Sequence, residues 1–337
     1  MLDSAQSRQF GTDSPWGKLV TRNGKRLKIW SELMAEAAPE DPAWYTENTR
    51  IELGDSIALR RFGDSEGHPV LVVTPQVNHS YIADFAQGQS LVETLMESGL
   101  TNVAVTDWLP PPKRPYAIAD SLDDLRRCLE EVGGRAHVIG LCQGGWQATI
   151  LAALEPERFS SLTLAAAPID TQVGTTVLHL FTYGMPMMWY RNFVAMGGGV
   201  ASGRLLASGF DMLRPVERYF LNPATLYVRS LDDDFVDRYR RLRNWYRLNK
   251  DVAGKLYLEA VEWLFKENRL ARGVLEIEGK RVSLANLEMP IELVGGTRDH
   301  ITPPEQVFAL KELAPKAEVR THLAQAGHIG VFMGTGP

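Results

Sequence analysis

Cysteine is scarce: Cys128 and Cys142 are the only two among 337 residues. Two thiols make neither a disulfide framework nor a cysteine zinc site, so no metal is expected. Neither sign of charge is in large excess. Lys and Arg number 36 against 41 Asp and Glu, a formal net charge of −5, which argues against nucleic acid as a main partner. Long hydrophobic runs are lacking too. The most apolar stretch extends only from Val177 to Tyr190 and contains His179, whereas a membrane span needs about 20 residues. Met1 to Phe10 has neither the basic nor the apolar region of a secretory signal. These absences lead us to expect a cytoplasmic protein with no membrane span. The 45% hydrophobic content is enough for a sizeable core, and the length suits one α/β domain with a large insertion.

What is present is an alternation of short β-branched runs and helix-forming segments. Ile51 to Phe62 alternates as a hairpin or two edge strands would. Val70–Val73 and Asn102–Trp108 are apolar enough for strands buried on both faces. Further strands are predicted at Ser161–Ala166, Ile291–Val294 and Val319–Leu323. Helices are predicted around Leu27–Ala38, at Leu91–Ser98, near Ala119–Val132, and over Gln147–Leu154. The fold class this predicts is α/β, a mainly parallel sheet with helices on both faces. From Asp170 to about Ser283 the alternation stops, and the sequence becomes helical and rich in aromatics and methionine. The expected organisation is therefore an N-terminal helical segment (1–48), an α/β core (49–170 and 284–337) and a helical cap insertion (171–283). Asp232, Asp233 and Asp234 are read as a helix start on a solvated face, since aspartate caps helix N-termini. The chain stops shortly after His328, where this architecture normally adds a last helix, so that helix is expected to be missing and the chain truncated.

The chemistry gathers around residues 136–146. The run Ala136-His137-Val138-Ile139 meets a turn, Gly140-Leu141-Cys142-Gln143-Gly144-Gly145, and a helix-forming segment follows directly. That is the layout of the nucleophile elbow of α/β-hydrolases, with cysteine in place of serine. Gly140, Gly144 and Gly145 let strand and helix close tightly around Cys142, whose thiol would lie at the positive end of a helix dipole. The plainer reading of an isolated cysteine before a turn is a buried packing residue, and Cys128 is read that way. Hydrolases of this fold carry nucleophile, acid and histidine in that order, the last two after late strands. Here the order is Cys142, Asp299, His328. His328 would accept the thiol proton and return it to the leaving group, and Asp299 would fix the histidine tautomer. The oxyanion hole would take the N–H of Gln143 and that of Val77, in the loop after the first central strand. His300 would support Asp299.

Three of these segments resemble the catalytic motifs of polyhydroxyalkanoate synthases, most of all the short class that works with a second subunit. They are Gly140-Leu141-Cys142-Gln143-Gly144-Gly145, then Arg298-Asp299-His300 with Pro303-Pro304, then Gly327-His328-Ile329-Gly330. Val77-Asn78, Tyr81-Ile82 and the stretch Val261 to Leu284 also resemble that class, and the similarity covers about residues 65–334. The resemblance implies a cysteine acyltransferase that polymerises 3-hydroxyacyl groups from coenzyme A thioesters and needs no bound cofactor. It implies a 3-hydroxyacyl-CoA or polyester chain as substrate, a second synthase subunit or a homodimer as partner, and a place at the polyester granule surface. Trp146 departs from the pattern, because those synthases often have a small residue there. Related depolymerases share the fold and can use cysteine, so a polyester depolymerase or acyl-CoA thioesterase stays open. So does a non-catalytic granule-binding protein.

Overall fold

In a computed structural model of the chain, the structure describes residues 14–36, 44–213 and 222–333. Its contacts divide it into two units. One comprises residues 42–205 and 249–337, the other residues 1–41 and 206–248.

The larger unit is built on eight strands: β1 (Thr49–Glu52), β2 (Ile57–Gly63), β3 (Val70–Val73), β4 (Asn102–Trp108), β5 (Ala136–Leu141), β6 (Phe159–Ala165), β7 (Ile291–Gly296) and β8 (Val319–Ala324). Their spatial order is β1-β2-β4-β3-β5-β6-β7-β8. β1 and β2 form the antiparallel hairpin expected at Ile51–Phe62, and β2 also runs antiparallel to β4. All later pairings are parallel. Every side chain of β3 is buried, as are Val103, Ala104 and Val105 of β4, because helices cover both faces of a parallel sheet.

β3 lies between β4 and β5, so the strand order reverses there. Ligand sites of open α/β sheets form at the carboxyl ends of strands beside such a switch point. The register fixes what meets at that end. Val73 pairs with Gly140, Leu141 with Ala165, and Gly296 with Ala324. The loops after β3, β5, β6, β7 and β8 therefore emerge at a common edge.

Helices connect the strands. α1 (Pro15–Ala35) belongs to the smaller unit, whereas α2 (Leu91–Glu97), α3 (Ile118–Glu131) and α4 (Gln143–Leu154) flank the sheet. Within residues 171–283 the apolar run becomes two short helices, α5 (Leu178–Gly184) and α6 (Met187–Met196). Pro186 divides them by serving as N-cap of the second. Leu180, Tyr183, Met188 and Trp189 are exposed on these helices. The strand pair Val200–Ala201 and Val252–Ala253 holds distant parts of the insertion together. Helix Gly254–Glu259 continues as a π-helical turn, Ala260–Lys266. Lys266 Nζ donates to the carbonyls of Thr182 and Met185, fastening the α5–α6 corner.

The smaller unit packs α1 with helices Asn222–Arg229 and Asp233–Arg247 around Leu33, Leu226 and Val236. α1 begins well before the predicted Leu27. Ser14 caps it by accepting the Gly17 N–H, and Pro15 occupies its first turn, a strong start signal. The predicted helical residues Ala37 and Ala38 lie outside the described residues. Asp232 accepts the Phe235 N–H and caps the helix it precedes, as read from the aspartate run. No helix among the described residues is long and apolar enough to cross a membrane.

Packing is close at the end of β5. A Cβ on Gly140 would lie 2.5 Å from Gly145 Cα and 3.0 Å from the Gly144 oxygen. Both obstacles are backbone, so they cannot rotate away. Gly140→Ala should destabilise the protein by about 1–3 kcal/mol, seen as a lower melting temperature. Gly184→Ala, where a Cβ meets nothing within 4 Å, should leave it nearly unchanged.

Candidate active site

Cys142 stands between β5 and α4 with φ 48° and ψ −113°. Left-handed backbone at a non-glycine residue costs about 1–3 kcal/mol and persists only where its surroundings enforce it. The enforcement is visible. The Cys142 N–H donates to the Ala165 carbonyl of β6 at 2.9 Å, and its own carbonyl accepts the Gly145 N–H at 2.9 Å. A Cβ on Gly144 would sit 2.1 Å from the Val73 carbonyl, and one on Gly145 2.4 Å from Ala167 Cβ. The start of α4 is thus pressed against the ends of both β3 and β6. Cys142 is half-buried, whereas Cys128 is fully buried in α3 and burial pushes its thiol pKa up. Trp146, the departure noted from the sequence, is a core residue.

The loops after β7 and β8 bring Asp299 and His328 together. His328 Nδ1 lies 2.7 Å from Asp299 Oδ2. Asp299 Oδ1 accepts the backbone N–H groups of Ile301 and Thr302, each at 2.9 Å. Burial alone would push this carboxyl up. The bond and charge of His328, with the two N–H donors, outweigh it and hold the carboxyl below its usual range. An ionised carboxylate on Nδ1 requires the proton there and leaves Nε2 as the working nitrogen.

The sequence did not single out Thr302. Its hydroxyl donates to the Ala166 carbonyl at 2.9 Å and touches both Asp299 Oδ2 and His328 Nδ1 at 3.0 Å. Ala166 is itself left-handed, with φ 49°. Ala165 therefore holds Cys142 and Ala166 the loop of Asp299, from adjacent positions where β6 ends. His300 contributes its carbonyl, which accepts the Thr176 hydroxyl at 3.0 Å; Ile301 does the same at 2.8 Å. The root of the insertion is thereby fastened to the acid loop.

His328 is buried, and burial is the largest influence on it, pulling its pKa down. The Cys142 side chain and Asp299 outweigh this and raise it to about 10. His328 is thus hydrogen-bonded to Asp299 and within electrostatic reach of Cys142.

The loop after β3 is the fourth component. The N–H of Val77 points at the Gln143 side chain, whose Oε1 it meets at 3.3 Å. The N–H of Gln76 meets the same oxygen at 3.0 Å. Two main-chain donors thus converge where Val77 alone was expected, beside the start of α4 that carries the Gln143 N–H. The Gln76 donor escaped the sequence because it depends on how the turn after Val73 is folded.

Comparison with known proteins fits this geometry. A family described as "Protein of unknown function (DUF3141)" matches residues 41–335. The poly(3-hydroxyalkanoate) polymerase subunit PhaC of Haloferax mediterranei is 30% identical over 273 residues, which are 78% of this chain and 54% of that protein. The polymerase subunit PhaC of Synechocystis sp. is 27% identical over 305 residues, 86% of this chain and 80% of that protein. The chain thus spans about half the length of the Haloferax relative. Among solved structures, a hydrolase from Pseudomonas aeruginosa PA01 superposes with a TM-score of 0.54 at 19% identity, covering 84% of this chain and 92% of that one. That likeness shows the fold, which is the α/β-hydrolase fold expected from the elbow.

The raised histidine gives a test with a definite sign. His328 holds its proton up to about pH 10 when folded, against an ordinary 6.5. Asp299 is lowered from an ordinary 3.8. The stabilisation that Cys142 and Asp299 give protonated His328 is therefore full below pH 6.5 and is lost as pH rises from 6.5 through about 10, while that of ionised Asp299 is lost as pH falls below 3.8. The stability gap between wild type and Asp299→Asn should shrink over the upper window. Nitrogen NMR should show His328 titrating near pH 10 in wild type and lower in Asp299→Asn. A wild-type midpoint near 6.5 would contradict the coupling.

Proposed function

The chain belongs to the DUF3141 family, and we propose that it is a polyhydroxyalkanoate synthase-like acyltransferase using Cys142 as nucleophile. The observation that carries this reading is a cysteine on a strained elbow, coupled to a buried histidine that a carboxylate orients. Relatives named as polymerase subunits support the substrate class, a 3-hydroxyacyl thioester of coenzyme A.

The proposed cycle follows from the residues. With the proton already held by His328, the Cys142 sulfur attacks the thioester carbonyl. The carbonyl pair moves onto oxygen, toward the N–H donors of Val77, Gln76 and Gln143, and returns as the bond to the coenzyme A sulfur breaks. His328 gives that sulfur the proton. A hydroxyl of a second hydroxyacyl group then attacks the Cys142 thioester, losing its proton to His328. The new C–O bond replaces the C–S bond, and the freed Cys142 sulfur again faces protonated His328. Exchanging one thioester for another keeps the acyl group reactive enough to acylate an alcohol, which suits cysteine better than serine. Water in place of the hydroxyl gives the depolymerase or thioesterase outcome, and the product tells the two apart. A non-catalytic granule-binding role is disfavoured because such a protein needs neither the strained Cys142 nor the buried Asp299.

Cys142→Ala should abolish release of coenzyme A from 3-hydroxybutyryl-CoA, while Cys128→Ala retains most of it. Equal behaviour of the two variants would remove the elbow assignment. Asp299→Asn and His328→Ala should each lower turnover by about 10³-fold or more. The double variant should be little worse than the weaker single, because members of a triad act as a unit; multiplied losses would count against it. Product analysis of the wild type should find polymer, and free 3-hydroxy acid alone would replace synthesis by hydrolysis.

A further inference from the structure

The seat that a developing oxyanion needs is already taken in this site. Gln143 Oε1 accepts the N–H of Gln76 at 3.0 Å and that of Val77 at 3.3 Å. Both partners are N–H donors, so the amide atom facing them has to be the oxygen. A carboxamide oxygen offers those donors the same kind of lone pairs that a thioester carbonyl would bring.

The loop bearing the donors is held from behind without help from Gln143. Gln76 Nε2 donates to the Tyr116 hydroxyl at 3.4 Å, which donates to Asp124 at 2.5 Å. Ser56 and Arg127 donate to the same carboxylate at 2.6 and 2.9 Å. Tyr116 and Asp124 are buried. At the root of the loop, Thr74 bonds Thr106 through both its N–H and its hydroxyl at 3.0 Å. Gln143, half-buried with a flexible side chain, is therefore not what shapes the loop.

We propose that the Gln143 side chain is a removable plug of the oxyanion hole. It occupies the Gln76 and Val77 donors at rest, is displaced when a substrate carbonyl enters, and returns over the acyl-enzyme. The inference rests on the acyl-transfer reading of Cys142. In the acylation step the C–S bond forms as the carbonyl pair moves onto oxygen, and that oxygen takes the donors from Gln143. After coenzyme A has left with the proton from His328, the returning amide leaves the Cys142 thioester unpolarised. Displacing the plug again takes interaction energy. A bound hydroxyacyl group supplies it from its remote contacts; a water molecule has none to supply. The plug thus favours transfer over hydrolysis.

Gln143→Met keeps the length and loses the acceptor; Gln143→Ala removes the acceptor without filling the space. The measurements are the p-nitrophenolate burst with p-nitrophenyl acetate, the coenzyme A burst with 3-hydroxybutyryl-CoA, and the share of free acid in the product. Both variants should give a p-nitrophenolate burst about 5-fold faster than wild type, the scale of one net hydrogen bond. Where 3-hydroxybutyryl-CoA reacts, the free-acid share should rise as well. If it does not react while the variants still accelerate the ester burst, the acyl-CoA reading falls and the plug stands. An ester burst that is slower, unchanged or absent in both variants overturns the plug, whatever the coenzyme A assay shows.

Discussion

The backbone around Cys142 has no room for three side-chain carbons, and the rest of the site depends on that close approach. With hydrogen at positions 140, 144 and 145, α4 starts in contact with the ends of β3, β5 and β6 together. This pressure keeps Cys142 in left-handed backbone and brings the Gln143 N–H beside the loop that carries Gln76 and Val77. It also lets Ala165 bond the Cys142 N–H, which leaves the next residue, Ala166, to receive Thr302 from the acid loop. A methyl group at any of these glycines would disturb Cys142, the loop of Gln76 and Val77, and the loop of Asp299 through one shared contact.

How much of this was legible in the sequence depended on whether the signal was local. The strands announced themselves by apolar runs, and their order put Cys142, Asp299 and His328 at strand ends that the register brings to one edge. Cap chemistry was legible for the same reason: Asp232 sits immediately before the helix it starts. Ser14-Pro15 carried an equally local start signal, yet the apolar pattern first becomes visible near Leu27, so the early turns of α1 went unread. Thr302 and Gln76 were invisible for a different cause. Their roles consist of bonds to Ala166, His328, Tyr116 and Gln143, partners far away in sequence, and a threonine before two prolines looks like any loop residue.

In the apolar run at Val177–Tyr190, Leu180, Tyr183, Met188 and Trp189 are exposed. What ties this segment to the site is polar. Thr176 holds the carbonyls of His300 and Ile301, and Lys266 holds those of Thr182 and Met185.

The central claim is that Cys142 carries the acyl group. The most direct measurement is peptide mass spectrometry of the protein quenched in acid during reaction with 3-hydroxybutyryl-CoA. The account predicts a hydroxybutyryl group, single or extended, on the peptide containing Cys142 and none on that containing Cys128. Release of coenzyme A with no adduct at Cys142, in wild type and in His328→Ala alike, would contradict it.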